Sequence, residues 1–345
     1  MFSHPDINSK ECIIKLIRFF KKSICGFNSR IYIVTAGKIA QKSKPFLIGI
    51  AGDSASGKST FAESVISLFG KDNVLSISLD DYHIYDREER EKLGITPLNP
   101  KANDLKTIHR HIKMLKEGKG ILKPVYDHSR GKFGEPVWVE PREIVIVEGL
   151  HTLYRKRTRD LFDITIFMDP DYEIRKEWKI DRDVRKRGHK KENVVREMER
   201  RLPDYRRYIS PQRNRAEIII QVKKDKRRNN YRKGSPYWIR IFQELTGEKL
   251  SEVYFPLNLS SMCEQEAEEL YFEYRKGNRG HKKFSIIEFN GIIKSEALKD
   301  IGEKIKEIAG REGRILKNNF VNEIELGKLI ITWRVVERLK NHRKS

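Results

Sequence analysis

Gly52-Asp53-Ser54-Ala55-Ser56-Gly57-Lys58-Ser59-Thr60 fits the pattern G-x-x-x-x-G-K-S/T of a phosphate-binding loop. Its flanks fit as well. Residues 45–51 (PFLIGIA) form an apolar run that reads as a buried strand. Phe61, Ala62, Val65, Ile66, Leu68 and Phe69 then recur with helical spacing, and Gly70 stands where a helix would stop. In a strand–loop–helix unit, the glycines let successive backbone N–H groups point at a polyphosphate, and the helix start adds partial positive charge. Lys58 would reach the β- and γ-phosphates, and Ser59 would hold Mg²⁺. The whole loop, residues 52–60, is the expected nucleotide-binding segment, with a nucleoside triphosphate and Mg²⁺ as the expected ligands.

Working outward, 345 residues suffice for one large or two modest domains, and no apolar run is long enough to span a bilayer. Residues 12–25 (CIIKLIRFFKKSIC) are interrupted by Lys and Arg, and read as an amphipathic helix rather than a signal peptide. Cys12, Cys25 and Cys263 form no C-x-x-C pair, so a reducing, cytoplasmic setting is expected. The formal charge of +22 admits nucleic acid, a membrane surface or small polyanionic substrates. No zinc-finger spacing or aromatic RNA-binding pattern accompanies it, so neither a nucleic-acid nor a membrane partner is expected. No H-E-x-x-H spacing occurs, which argues against a transition-metal site.

Further strand-like runs occur at residues 74–79, 144–147, 164–168 and 218–222, with helical segments between them, notably near 105–115. This alternation predicts an α/β fold with a mostly parallel central sheet flanked by helices. Residues 1–44 read as an N-terminal extension and 45–222 as the core that carries the phosphate loop. Residues 223–345 read as an α+β region that begins with a charged loop or hairpin. Strand-like segments at 238–242, 271–274 and 284–289 follow, then helices near 295–309 and 323–340.

Between the loop and residue 212 a series of short motifs appears. Asp80-Asp81-Tyr82-His83 with Asp86-Arg87 comes first, then Leu98 through Asn103, then Lys123 through Ser129 with Gly131. Glu148-Gly149-Leu150-His151 is next, then Trp178-Lys179-Ile180 with Arg182-Asp183 and Arg187-Gly188-His189. Pro203-Asp204-Tyr205 and Ile209-Ser210-Pro211-Gln212 close it. The order closely resembles phosphoribulokinases, within the phosphoribulokinase/uridine kinase family of P-loop kinases. The resemblance runs from about residue 45 to 222 and continues more faintly into the C-terminal region.

The resemblance implies a P-loop kinase that uses ATP and Mg²⁺ to phosphorylate D-ribulose 5-phosphate to D-ribulose 1,5-bisphosphate, the Rubisco substrate, as a homodimer, with residues 223–345 as the sheet-extension and dimerisation region. Asp80 and Glu148 each follow a predicted strand, where ligands sit in an open parallel sheet. By similarity, Asp80 is the general base and Glu148 the Mg²⁺ carboxylate, with Asp81 as the competing base. His83 and Arg87 face the sugar phosphate in the family, and a guanidinium suits that phosphate. For Tyr126, His128 and His151 an acceptor-pocket role competes with a structural one. Lys179, Arg182, Asp183 and Arg187 fall on one helix face, in what the resemblance makes a lid over about 178–202. There Lys179 and Arg182 would neutralise charge on the moving phosphoryl group. Arg187 would bind acceptor phosphate or steady the closed lid, and Asp183 would orient these cations or join the Mg²⁺ shell.

The chloroplast members carry switch cysteines within the loop and just before the Asp pair, where this chain has Ser56 and Ser78. A thiol switch at those sites is chemically impossible here. A uridine kinase-like nucleoside kinase is the rival within the family. A nucleic-acid-binding protein on an NTPase scaffold is the rival from another class.

Overall fold

The computed structural model describes residues 44–224, 237–245, 270–310 and 319–344, without the side chains of Lys186, Arg187 and Leu270. The expectations for residues 12–25, for most of the N-terminal extension and for Cys263 lie outside the described residues, as does most of the charged stretch after Lys223.

The elements run β1 (Phe46–Gly52), α1 (Lys58–Phe69), β2 (Val74–Ser78), a 3-10 turn (Leu79–Tyr82), α2 (Arg87–Lys92), α3 (Leu105–Lys116), β3 (Ile121–Asp127), β4 (Lys132–Val139), β5 (Ile144–Gly149) and α4 (Lys156–Arg159). They continue with β6 (Ile164–Pro170), α5 (Tyr172–Arg187), α6 (Lys191–Asp204), β7 (Ile218–Lys224), β8 (Tyr237–Glu244), β9 (Leu270–Arg279), β10 (Lys282–Gly291), β11 (Ile293–Lys294), α7 (Lys299–Ala309), β12 (Phe320–Val321) and α8 (Glu323–His342).

One eight-stranded sheet has the order β2-β5-β1-β6-β7-β8-β10-β9. The first five strands pair in parallel, and β8, β10 and β9 extend them antiparallel. The parallel strands are buried on both faces, which is why they read as unbroken apolar runs. Alternate residues of β1 part company. Phe46, Ile48 and Ile50 join α1, α7 and α8 in one core, whereas Leu47 joins α3 in another. Phe61, Val65 and Phe69 fix α1 beneath β1, each burial contributing about 1.5–3 kcal/mol.

The sheet puts β1 between β5 and β6, so the chain leaving β1 emerges at the switch between neighbours on either side. Strand β2 stops at Ser78, one residue before the expected end, and Asp80 sits in the 3-10 turn instead of on an extended chain. Strand β5 runs on through Glu148. The β3–β4 hairpin was not expected, because Pro124, Gly131, Gly134 and Pro136 break its alternation.

Candidate active site

The loop after β1 turns on three positive φ values: Gly52 at 155°, Ala55 at 60° and Gly57 at 92°. A Cβ on Gly52 would lie 2.6 Å from Ser56 Oγ and 2.8 Å from the Met168 carbonyl oxygen, so only glycine lets the loop close this tightly. Lys58 folds back into the loop, where its Nζ donates to the Asp53 carbonyl at 2.8 Å and lies 3.9 Å from Glu148 Oε2. Ser59 Oγ donates to Glu148 Oε1 at 3.1 Å. A hydroxyl and a carboxylate side by side at the loop's head are hard oxygen donors of the kind that would hold Mg²⁺. Burial pushes the Glu148 carboxyl up and the charge of Asp80 adds to this, while Lys58 opposes it. That carboxylate gains from a cation beyond Lys58, so the residues present fit the metal.

Asp80 and Asp81 diverge. Asp81 pairs with Lys123 and accepts from the Tyr126 backbone N–H at 2.9 Å, which ties the 3-10 turn to the β3–β4 hairpin. Asp80 keeps 37 % of its side chain open, with His128 Nε2 3.7 Å from its Oδ2. Burial raises its pKa, but the neighbouring His83, Lys58, His128 and Arg201 outweigh this and hold it below the usual carboxylate range. Asp80 is therefore ionised at neutral pH.

The acceptor candidates gather around one aromatic ring. Tyr126 packs edge-on against His83 at 5.1 Å and His128 at 5.2 Å between ring centroids. His83 Nδ1 bonds Asn103 Oδ1 at 3.0 Å, and burial drives its pKa down to about 4. Arg87 donates to the His128 carbonyl at 2.7 Å and crosses Gly131, where a Cβ would collide with it at 2.8 Å. His151 is 3 % exposed, packs against Tyr154 with centroids 5.4 Å apart, and is likewise pushed by burial to about 4.

The segment expected to form the lid is a helix pair, α5 and α6. Helix α5 begins at Tyr172, ahead of the expected start at Trp178, and ends where Gly188 takes a φ of 68°. Asp183 meets Lys179 Nζ at 2.7 Å and Arg182 Nε at 2.8 Å. Burial opposes its ionisation, yet Arg182 and Lys179 pull its pKa down to about 2. Arg182 also donates to Ser54 Oγ at 3.0 Å, so the helix already rests on the phosphate loop. Arg187 falls at the end of α5, and its side chain lies outside those described.

Several side chains that meet the candidate site escaped the sequence reading. Asp53 was assigned to the nucleotide loop, but its carboxylate reaches the lid: Arg175 Nε at 3.4 Å and an Arg201 terminal nitrogen at 3.9 Å. Arg175 lies one turn before Lys179 and stacks on Tyr205 with 4.0 Å to the ring centroid. That i−4 spacing was the available signal. Arg90 is 8 % exposed and donates to the Tyr126 hydroxyl at 2.9 Å. A cavity of about 540 Å³ opens between α2 and the lid helices, lined by Arg87, Arg90, Lys179, Arg196, Arg200 and Arg201 among others.

The model of the Phosphoribulokinase / Uridine kinase family matches residues 47–228. The phosphoribulokinase of Synechocystis sp. is 43 % identical over 182 residues, 53 % of this chain and 55 % of that protein. The chloroplastic phosphoribulokinase of Mesembryanthemum crystallinum is 35 % identical over 269 residues, 73 % of this chain and 67 % of its own. A uridine kinase of Halalkalibacterium halodurans is 33 % identical over 182 residues, 52 % of this chain and 86 % of that enzyme. The chain thus spans just over half the length of the Synechocystis relative. Among solved structures, phosphoribulokinase from Rhodobacter spheroides superposes with a TM-score of 0.55 at 18 % identity, covering 88 % of this chain and 100 % of that one, which shows a shared fold. The family match spans the same residues that build the loop, the two carboxylates and the lid, and this chain belongs to the phosphoribulokinase/uridine kinase family.

Proposed function

We propose that this chain transfers the γ-phosphoryl group of ATP to the 1-hydroxyl of D-ribulose 5-phosphate, giving D-ribulose 1,5-bisphosphate and ADP. The observation that carries this reading is the cationic cavity between α2 and the lid. An acceptor that already bears a phosphate matches Arg87, Arg90 and Arg196 there, whereas a neutral nucleoside leaves that charge unmet. The identity to named phosphoribulokinases supports the same choice.

Each residue then has a task. Asp80, ionised and open, accepts the proton of the 1-hydroxyl as the oxygen attacks. Its low basicity suits a loose transition state, in which the proton moves late. The backbone of residues 52–58 cradles the polyphosphate, and Lys58 leaves the Asp53 carbonyl for the phosphates. Lys179 and Arg182, held in register by Asp183, neutralise charge on the transferring group. Ser59 and Glu148 would hold Mg²⁺, which offsets charge on the β- and γ-phosphates. Neutral His83 and Tyr126 offer hydrogen bonds to sugar hydroxyls, His128 sits beside the base, and buried His151 packs on Tyr154.

No helix among the described residues is long and apolar enough to cross a membrane. The reading places the enzyme in the cytoplasm. It makes the enzyme a homodimer through the C-terminal region, where β9 ends the sheet with Tyr271 and Tyr274 exposed. ADP release coupled to NADH oxidation, measured with equal ribulose 5-phosphate, ribulose and uridine, tests the function. Ribulose 5-phosphate should turn over far faster than either, and preference for uridine would reassign the chain to the nucleoside kinases of the same family.

A further inference from the structure

A second cavity, of about 490 Å³, lies at the other end of the sheet. Ile164 and Ile218, the first residues of β6 and β7, line it, whereas the phosphate loop and Asp80 follow the carboxyl ends of their strands. Ile308 of α7 and Trp333 of α8 complete an apolar wall.

Two buried donors in this wall are unsatisfied. Trp333 is 6 % exposed, and its indole N–H finds no acceptor among the described residues. Arg334 is 5 % exposed; one terminal nitrogen pairs with Glu337 and the other has no partner there. Folded chains rarely leave such groups unpaired, and a missing external acceptor is one of the ordinary reasons they do. The charge around them is also unbalanced. Five basic side chains line the cavity against three carboxylates. Two of those carboxylates, Glu217 and Glu337, are already taken by Arg338 and Arg334. Lys340 and Lys344 stand exposed at the rim. Volume, apolar wall and positive donors together describe a ligand pocket of ordinary size.

We propose that this cavity binds a small organic phosphate with a flat apolar body. The phosphate accepts from Arg334 and the Trp333 indole N–H, with Lys340 and Lys344 adding charge at the mouth. The body lies along Ile164, Ile218 and Ile308. Arginine suits the phosphate because its planar fork presents two parallel donors. The site is separate from the nucleotide loop, so it fills while ATP is bound.

Phenyl phosphate is a suitable probe, titrated calorimetrically into the full chain with a non-hydrolysable ATP analogue saturating the loop. Inorganic phosphate and phenol each supply half of it. The expected result is saturable binding of phenyl phosphate at one site, tighter than either half. Trp333→Phe keeps an aromatic side chain and removes the N–H, and Arg334→Gln removes the charge. Each should weaken binding about tenfold, as loss of one charge-assisted hydrogen bond does. Lys58→Met should leave the affinity unchanged. Trp333→Phe carries the test alone if Arg334→Gln does not fold. No binding in the presence of the ATP analogue, wild-type affinity in the variants, or loss of binding in Lys58→Met would overturn the proposal.

Discussion

Asp80 and Asp81 are neighbours in the chain with opposite commitments. Asp81 accepts from the Tyr126 N–H at 2.9 Å and pairs with Lys123, while Asp80 meets His128 at 3.7 Å and stays open to the cleft. The two should therefore fail differently. Asp80→Asn should lower kcat by about 10²–10⁴-fold with ATP affinity and thermal stability near wild type. Asp81→Asn should cost about 1–3 kcal/mol of stability, read by urea unfolding, with a milder effect on kcat. If Asp81→Asn were folded, bound ATP and lost more activity than Asp80→Asn, the base would move by one residue.

Glu148 and Ser59 meet at 3.1 Å at the head of the loop. Glu148→Gln keeps the hydrogen-bond geometry and removes the charge that a metal needs. Activity against free Mg²⁺ should shift to higher concentration by about tenfold or more, with a lower plateau. An unchanged Mg²⁺ midpoint would take Glu148 out of the metal role.

Such pairings mark where the sequence was legible and where it was not. The loop could be read because its residues are contiguous and its geometry is local. Its strand and helix could be read because burial on both faces leaves an unbroken apolar run. Choosing between Asp80 and Asp81 was beyond the sequence, because the partners that occupy Asp81 lie 42 and 45 residues away. Arg175 and Arg201 were missed for a related reason. Their target is Asp53, a loop residue that the motif assigns to phosphate and the fold turns toward α5 and α6. The β3–β4 hairpin was hidden because its outward strand is exposed almost throughout, so no burial pattern marks it.

The buried histidines set a pH dependence of stability. His151 has its pKa lowered by burial from 6.5 to about 4. Between those values the unfolded chain binds the proton and the folded chain does not, so stability is full above about pH 6.5 and falls as the pH drops toward 4. His83, lowered to about 4 as well, acts in the same direction. His151→Gln cannot titrate. Its stability relative to wild type should improve on going from pH 7 to pH 4.5, by on the order of 2 kcal/mol in urea unfolding. A gap that stayed constant with pH would mean that His151 does not titrate in this way.

The central claim is that a phosphate-bearing sugar is the acceptor and that its 1-hydroxyl is the nucleophile. Phosphorus-31 NMR tests both at once, on a mixture of ATP, Mg²⁺, ribulose 5-phosphate and uridine at equal concentrations. The account predicts a second phosphomonoester resonance on the sugar, coupled to the C1 protons, growing in step with ADP while uridine is untouched. Growth of a uridine 5′-phosphate resonance beside unchanged ribulose 5-phosphate would contradict it.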